Sequence, residues 1–141
     1  MNAVHRFLAF LPLLAGILLA GCGTLPPATE PLPSVVGTVV LRQPVRLPDG
    51  AVLEIRLVDF TQARQPVVVV ERSDSNPGQP PLRFRLAYDP LSIDPQRDYS
   101  LEARIVVGGR PRWVLAQAVP VITKGRPVLV EVGLQAVPDN P

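Results

Sequence analysis

The sequence is poor in the side chains that perform most catalysis. It contains one histidine, His5, and one cysteine, Cys22. A serine or cysteine nucleophile needs a base poised near neutral pH, usually histidine, and zinc sites are built largely from histidine and cysteine. Because His5 lies in a segment that we expect to be removed, we predict no catalytic residue, no metal, no cofactor and no enzymatic activity.

Carboxylates remain as candidate ligands, and three of them lie close together in the sequence, Asp89, Asp94 and Asp98. Oxygen ligands of this kind suit Ca²⁺. Aspartate beside proline is equally typical of turns and helix caps, and we favour that interpretation. Without Arg6 the chain carries 13 basic and 12 acidic residues, and a net charge of +1 gives no reason to expect a nucleic-acid partner.

The sequence also lacks an apolar run long enough to span a membrane. Its longest run, residues 7–20, has 14 residues, whereas a spanning helix needs about 20. Arg6 precedes the run and small residues follow it, which is the layout of a secretory signal peptide. We therefore predict that residues 1–21 are a signal peptide.

The expected cleavage site resembles the lipobox of bacterial lipoproteins, because Leu19-Ala20-Gly21-Cys22 ends the apolar run. The resemblance implies that Cys22 is acylated and becomes the mature N-terminus. An ordinary secreted protein with one cysteine at this place is the alternative. In lipoproteins of this type an aspartate after the cysteine favours the inner membrane, so Gly23 implies the outer membrane, with the domain facing the periplasm.

Proline is abundant, with 18 residues in 141, and this disfavours helices. Residues 22–34 contain four prolines and no apolar periodicity, so we expect a lipidated N-terminus followed by an extended tether. From residue 35 onward, short apolar segments alternate with turn formers. We predict an all-β domain over residues 35–137, an antiparallel sandwich or partly closed barrel of seven to eight strands, and a tail at residues 138–141.

Alternation of apolar and polar residues indicates where the half-buried strands lie. It is clearest at residues 52–59, 82–88 and 99–107, and Gly108-Gly109 predicts a hairpin into residues 112–116. Residues 67–70 are a continuous apolar run, which suggests a more buried strand. Pro120 implies an edge or a bulge. Further strands are expected at residues 35–41 and 128–134.

Arginines alternate with the apolar residues on several of these strands. Arg83, Arg85 and Arg104, together with Arg110 and Arg112, are candidates for a basic stripe that faces lipid headgroups or an acidic partner. The alternative is an ordinary solvated sheet face. Trp113, Tyr88, Tyr99 and Phe84 occupy the apolar phase of their strands, and we expect them in the core rather than on a ligand platform.

Several turn and core segments resemble the YbaY family of envelope lipoproteins, which is related to the YscW-type lipoprotein chaperones of type III secretion. The segments that carry the resemblance are residues 36–39, 47–55, 88–90, 93–94, 99–105 and 120–125. The family implies a β-sandwich without known catalysis. Its YscW-type members act as pilotins, which help an outer-membrane secretin to localise and assemble.

The hypothesis that follows is a non-enzymatic, outer-membrane-anchored lipoprotein that binds another envelope component. Pilotin-like chaperoning of a secretin or other outer-membrane protein is its most specific form. Two alternatives stay open at this point: a structural envelope protein without a dedicated client, and a module that binds a small molecule or a glycan.

Overall fold

The computed structural model describes residues 30–138, which contain eight strands and one short 3₁₀ turn. The predicted signal peptide, Cys22, Gly23, most of the tether and the last residues of the tail lie outside this range. No helix within it is long and apolar enough to cross a bilayer. The strands are β1 (Ser34–Leu41), β2 (Val52–Asp59), β3 (Val67–Asp74), β4 (Leu82–Ala87), β5 (Tyr99–Val107), β6 (Arg110–Leu115), β7 (Val119–Val121) and β8 (Leu129–Ala136).

The strands curl into one nearly closed barrel in the order β3-β2-β5-β6-β8-β1-β4, and β7 also pairs with β5. The prediction of an all-β domain is confirmed, in its partly closed barrel form. One pair departs from the expected antiparallel pattern, because β1 and β8 are parallel, with Val36 opposite Leu129. The long connection from β1 to β8 through the other strands permits this pairing, since parallel neighbours need a crossover rather than a hairpin.

Alternation along the strands decides which side chains enter the barrel. On β4, Leu82, Phe84 and Leu86 are buried, whereas Arg83 and Arg85 are exposed. This two-residue period is the expected pattern of a strand with one buried face. The core consists of the inward residues of β1, β2, β4, β5 and β8, together with Leu47, Ala51, Tyr88 and Val121. The aromatic residues Phe84, Tyr88 and Tyr99 are buried there as predicted, and Trp113 packs partly against it.

Gly37 on β1 faces this core at its tightest point. A Cβ atom on Gly37 would lie 2.2 Å from the carbonyl oxygen of Val130 and 2.8 Å from the ring of Phe84. No carbon atom tolerates such distances, so any side chain here would force β1 away from β8. The absence of a side chain at residue 37 is therefore what lets the parallel pair close.

β3 is the strand that the sequence predicted least well. The run of residues 67–70 was expected to be buried, but β3 pairs only with β2 and forms an edge of the sheet. Val67 is 58% exposed and Val68 is 46% exposed. The strand also continues to Asp74, beyond the apolar run of residues 67–70. A continuous apolar run fits a buried strand and an unprotected edge strand alike, because it carries no alternation that would separate the two.

The two edge strands, β3 and β4, meet along a seam that no strand ladder closes. The guanidinium of Arg72 on β3 crosses it and donates a hydrogen bond of 2.8 Å to the carbonyl oxygen of Arg85 on β4. The loop between these strands contains a cis peptide bond between Pro80 and Pro81. The barrel is thus completed at this seam by a side chain.

Glycines with positive φ form two of the turns, and the turn predicted at Gly108-Gly109 is confirmed. Gly108 and Gly109 join β5 to β6 with φ angles of 59° and 77°, which are the values that a two-residue type I′ turn requires. Gly50, with φ 76°, ends the Leu47-Pro48-Asp49-Gly50 turn before β2. β7 is a three-residue strand centred on Pro120 and pairs only with β5, as expected for a strand that a proline interrupts.

Truncating Phe84 to alanine should destabilise the domain strongly, because a buried phenylalanine is worth about 3–5 kcal/mol of unfolding free energy. The matched control is Arg83→Ala on the same strand. Its side chain is exposed, so the change should stay within about 0.5 kcal/mol. Urea unfolding of both variants measures the difference. Equal losses of unfolding free energy in the two variants would contradict the assignment of Phe84 to the buried face of β4 and of Arg83 to its exposed face.

Candidate functional site

The barrel wall is interrupted where the chain passes from β6 to β7. β6 pairs with β5 as far as Val114, opposite Arg104, and its last residue, Leu115, pairs with Leu134 on β8. β7 then returns to β5, with Val119 opposite Leu101. Within residues 30–138, Glu102 and Ala103 of β5 consequently have no strand partner on this side. Residues 116–118 bridge the gap without pairing.

A cleft of about 440 Å³ lies on the outer surface beside this gap. We call it the outer cleft and define it by the residues that line it. Its floor consists of Glu54, Arg56, Glu102 and Arg104, and its walls of Phe60, Pro111, Val114, Leu115, Ala116 and Ala118. The walls are therefore apolar and the floor is charged. This combination suits an amphipathic protein segment.

The charges of the floor form two cross-strand pairs between β2 and β5. Arg56 Nη2 lies 2.9 Å from a carboxylate oxygen of Glu102, and Arg104 Nε donates to the carboxylate of Glu54. The pairs follow from the register, which places Glu54 opposite Arg104 and Arg56 opposite Glu102. Opposite charges at directly facing positions stabilise a sheet modestly. The floor therefore presents both signs of charge in a fixed order with no net charge.

A second concavity, of about 580 Å³, lies on the other side of residues 116–118. Its lining includes Arg42, Pro120 and the stretch of β8 from Glu131 to Gly133. Leu115, Ala116 and Ala118 line both concavities. Residues 116–118, which connect β6 to β7, thus separate the outer cleft from the second concavity.

Three of the arginines that the sequence singled out, Arg83, Arg85 and Arg104, lie on two separate surfaces. Arg104 is on β5 in the floor of the outer cleft, paired with Glu54. Arg83 and Arg85 are on β4, which is not a neighbour of β5 in the sheet. One continuous stripe is therefore not formed, because adjacency in a barrel is set by the strand order and not by the sequence. Their involvement in partner binding stays a prediction.

The three aspartates considered for calcium act in turns and ion pairs. Asp89 accepts from the amide of Leu91 and Asp94 accepts from the amide of Gln96, each at 2.9 Å. Asp98 pairs with Lys124 and Arg126, each at 2.8 Å. Hydrogen bonding to Lys124, the main influence, holds the pKa of Asp98 below its ordinary value. Among residues 30–138 no group of three or more histidines, cysteines or acidic residues is placed to hold a metal ion.

Sequence reasoning missed a buried polar network beside these aspartates. Asp59, at the end of β2, has a side chain only 8% exposed and lies 2.6 Å from Nη1 of Arg97. Burial is the largest influence on its pKa and raises it, but hydrogen bonds from Thr61 and Arg97 together outweigh burial, so the pKa lies below 3.8. The hydroxyl of Thr123 donates to the carbonyl of Arg97 at 2.7 Å. This network ties the loops after β2 and β7 to the start of β5.

The outer cleft was missed as well, since its floor and walls together come from four separate segments: β2 with Phe60, β5, β6 and residues 116–118. The only local signal was Pro120, which indicated that the last part of the sheet would be interrupted. No pattern indicated that Phe60 and Ala116 would face each other across the floor of β2 and β5.

The barrel coincides with the part of the chain that is similar to known proteins. Residues 30–134 match the family described as type III secretion system lipoprotein chaperone (YscW). The uncharacterized lipoprotein YbaY of Escherichia coli (strain K12) is 36% identical over 95 residues, which are 66% of this chain and 50% of YbaY. The chain therefore spans about half the length of this curated relative.

A solved structure is similar over nearly its whole length. The alternative pilotin from the type II secretion system of Vibrio cholerae matches with a TM-score of 0.71 and 34% sequence identity. The match covers 75% of this chain and 97% of the pilotin chain. The barrel, rather than a local motif, is thus what the two proteins share.

Replacing Asp59 with asparagine should lower stability at neutral pH by about 1–3 kcal/mol, the usual cost of leaving a buried charged hydrogen bond incomplete. Because the folded-state pKa of Asp59 is lowered, its stabilisation is present above the unfolded pKa and is lost as the pH falls through the folded value. The difference between wild type and variant should therefore shrink below about pH 4.

Urea unfolding at several pH values measures this dependence, with Asp49→Asn in an exposed turn as the control. The control should stay within about 0.5 kcal/mol of wild type at neutral pH. A cost for Asp59→Asn that is independent of pH would show that the carboxylate charge contributes nothing.

Proposed function

Since the chain belongs to the YscW family of lipoprotein chaperones, we propose that it is a non-enzymatic lipoprotein anchored in the outer membrane. Its barrel faces the periplasm and binds a membrane protein of the bacterial envelope, in the manner of a pilotin acting on a secretin. The shared barrel supports this, because the similarity to the Vibrio cholerae pilotin covers 97% of that protein.

The observation that carries the proposal is the outer cleft. Its apolar walls exclude water from the apolar face of a client segment, and its floor pairs with polar groups of the same segment. Because each floor charge already has a partner across the β2–β5 ladder, the client need not supply a net charge. Fixed charges of both signs then select the orientation of the client more than they add affinity.

The edge of β5 inside the cleft adds backbone recognition. β5 has no partner at Glu102 and Ala103, where β6 has left and β7 has not yet joined. Because successive strand residues direct their backbone groups to opposite edges, one of these two residues offers its amide and carbonyl groups there. An extended client segment binds such an edge by main-chain hydrogen bonds, with side-chain pockets providing specificity. The edge is short, so the apolar walls supply most of the contact.

Acylation at Cys22 determines the membrane to which the bound client is delivered. Each buried methylene contributes about 0.8 kcal/mol and two or more acyl chains hold stably, whereas one chain binds marginally. Gly23 supports the outer membrane over the inner one by the sorting rule for such lipoproteins. A client held in the cleft is carried to the same membrane, shielded from water on its apolar face.

Cys22→Ser should abolish acylation and membrane retention, because the thiol is the attachment point. Labelling cells with a radioactive fatty acid, followed by density-gradient fractionation, measures both. The soluble variant should unfold in urea at the same concentration as the acylated protein, since the barrel begins at Ser34. Absence of label in the wild-type protein would refute the lipoprotein assignment, and label in inner-membrane fractions would refute the outer-membrane location.

A photoreactive amino acid at Ala116 should capture the client in living cells, because Ala116 is exposed and lines both concavities. Asn76, exposed in the loop between β3 and β4, is the control position. Mass spectrometry of the adduct should identify an outer-membrane protein of a secretion system at residue 116 and not at residue 76. The same adduct at both positions, or a carbohydrate adduct at residue 116, would contradict the proposed site.

A further inference from the structure

Exposed apolar side chains are concentrated at one end of the barrel. β1 and β8 begin there and β4 ends there, and the antiparallel ladders place the starts of β3 and β5 at the same end. We call it the proximal end, because the chain enters the barrel there. Within residues 30–138, nine large apolar residues are exposed, and all except Val45 and Val137 lie at the proximal end.

Four of these residues lie at or just before the starts of β1 and β8, and we call them the proximal patch: Leu32, Val36, Val128 and Leu129. Val36 lies directly opposite Leu129 in the parallel pair, and its amide donates to the carbonyl of Val128 at 2.8 Å. Leu129 is 74% exposed and Leu32 is 53% exposed. Leucines so accessible contribute little to the core.

Cationic side chains border the proximal patch. Arg85 lies opposite Val36 on β4, and its Nη2 donates to the carbonyl of Leu32 at 3.3 Å. One step further from the proximal end, Thr38 lies between Arg83 and Glu131. Polarity therefore rises from an apolar margin to a charged row. A bilayer interface shows the same change from apolar to charged groups. There the aliphatic part of an arginine side chain covers apolar surface, and its guanidinium binds a lipid phosphate.

The covalent length of the chain brings the proximal end close to the membrane. Eight residue steps separate Cys22 from Glu30, and at about 3.3–3.6 Å per residue they span no more than about 29 Å. Leu32 follows two residues later. A protein acylated at Cys22 therefore keeps this end of the barrel near the headgroups. The high effective concentration of this end at the membrane lets even a weak contact of its apolar side chains with the lipids form.

The size of the proximal patch favours a lipid surface over a protein partner. A stable protein interface buries at least about 1,200 Å² in total, far more than four aliphatic side chains provide. A patch of this size is too small to hold a free domain on a bilayer, but it is sufficient to orient a domain that is already tethered.

We propose that the proximal patch rests on the phospholipid surface, with Leu32 and Leu129 in the interface and Arg85 at the phosphates. The inference rests on the proposed acylation of Cys22 and adds an orientation to it. The barrel stands on its proximal end, and the outer cleft on the side wall stays open to the periplasm.

Fluorescence quenching of the acylated protein tests this orientation. Two variants carry the Trp113→Phe replacement, which removes the natural tryptophan, together with Leu129→Trp in the patch or Val45→Trp at the opposite end. Both are reconstituted in phosphatidylethanolamine and phosphatidylglycerol vesicles with brominated acyl chains. Tryptophan at residue 129 should lose its emission, and tryptophan at residue 45 should keep it.

The outcomes separate the orientation from the anchor. Flotation of both variants with the vesicles and equal emission at the two positions would overturn the orientation and leave acylation intact. Failure of both variants to float would overturn the proposed anchor, and the orientation with it. Cross-linking between residues 129 of two copies, in place of quenching, would assign the patch to a dimer and also overturn the proposal.

Discussion

β5 is the strand on which both the barrel and its cleft depend. Its alternation buries Leu101, Ala103 and Ile105 while Glu102 and Arg104 face outward. One edge pairs with β2 along its length, whereas the other edge is shared by β6 and then β7. Because no partner continues across the change from β6 to β7, the strand that holds the core together also exposes part of an edge. The pairing with β2 and the proposed binding surface thus lie on opposite sides of one strand.

Much of this architecture was predictable because it is local. The alternation on β4 and β5 and the Gly108-Gly109 turn each depend on a few consecutive residues, and the structure confirms them. The parallel pairing of β1 with β8 was not predictable, since it joins segments nearly a hundred residues apart and depends on Gly37 permitting close approach. The outer cleft and the separation of Arg83 from Arg104 depend in the same way on strand order, which alternation does not encode.

The polar network at the proximal end has a different role from the apolar patch near it. Asp59, Arg97 and Thr123 hold the loops after β2 and β7 against the start of β5. Ile122, beside Thr123, has a φ angle of 71°, a costly conformation for a β-branched residue. Such strain persists only where the surroundings fix it, and the hydrogen bond from Thr123 to Arg97 does so here.

The seam between β3 and β4 has a consequence for association between copies of the protein. An open sheet edge is a template on which another chain can add a strand. Arg72 occupies this edge by donating a hydrogen bond to the carbonyl oxygen of Arg85. A second copy approaching edge to edge would have to displace this guanidinium. The side chain that closes the barrel therefore also keeps neighbouring barrels from joining into a continuous sheet.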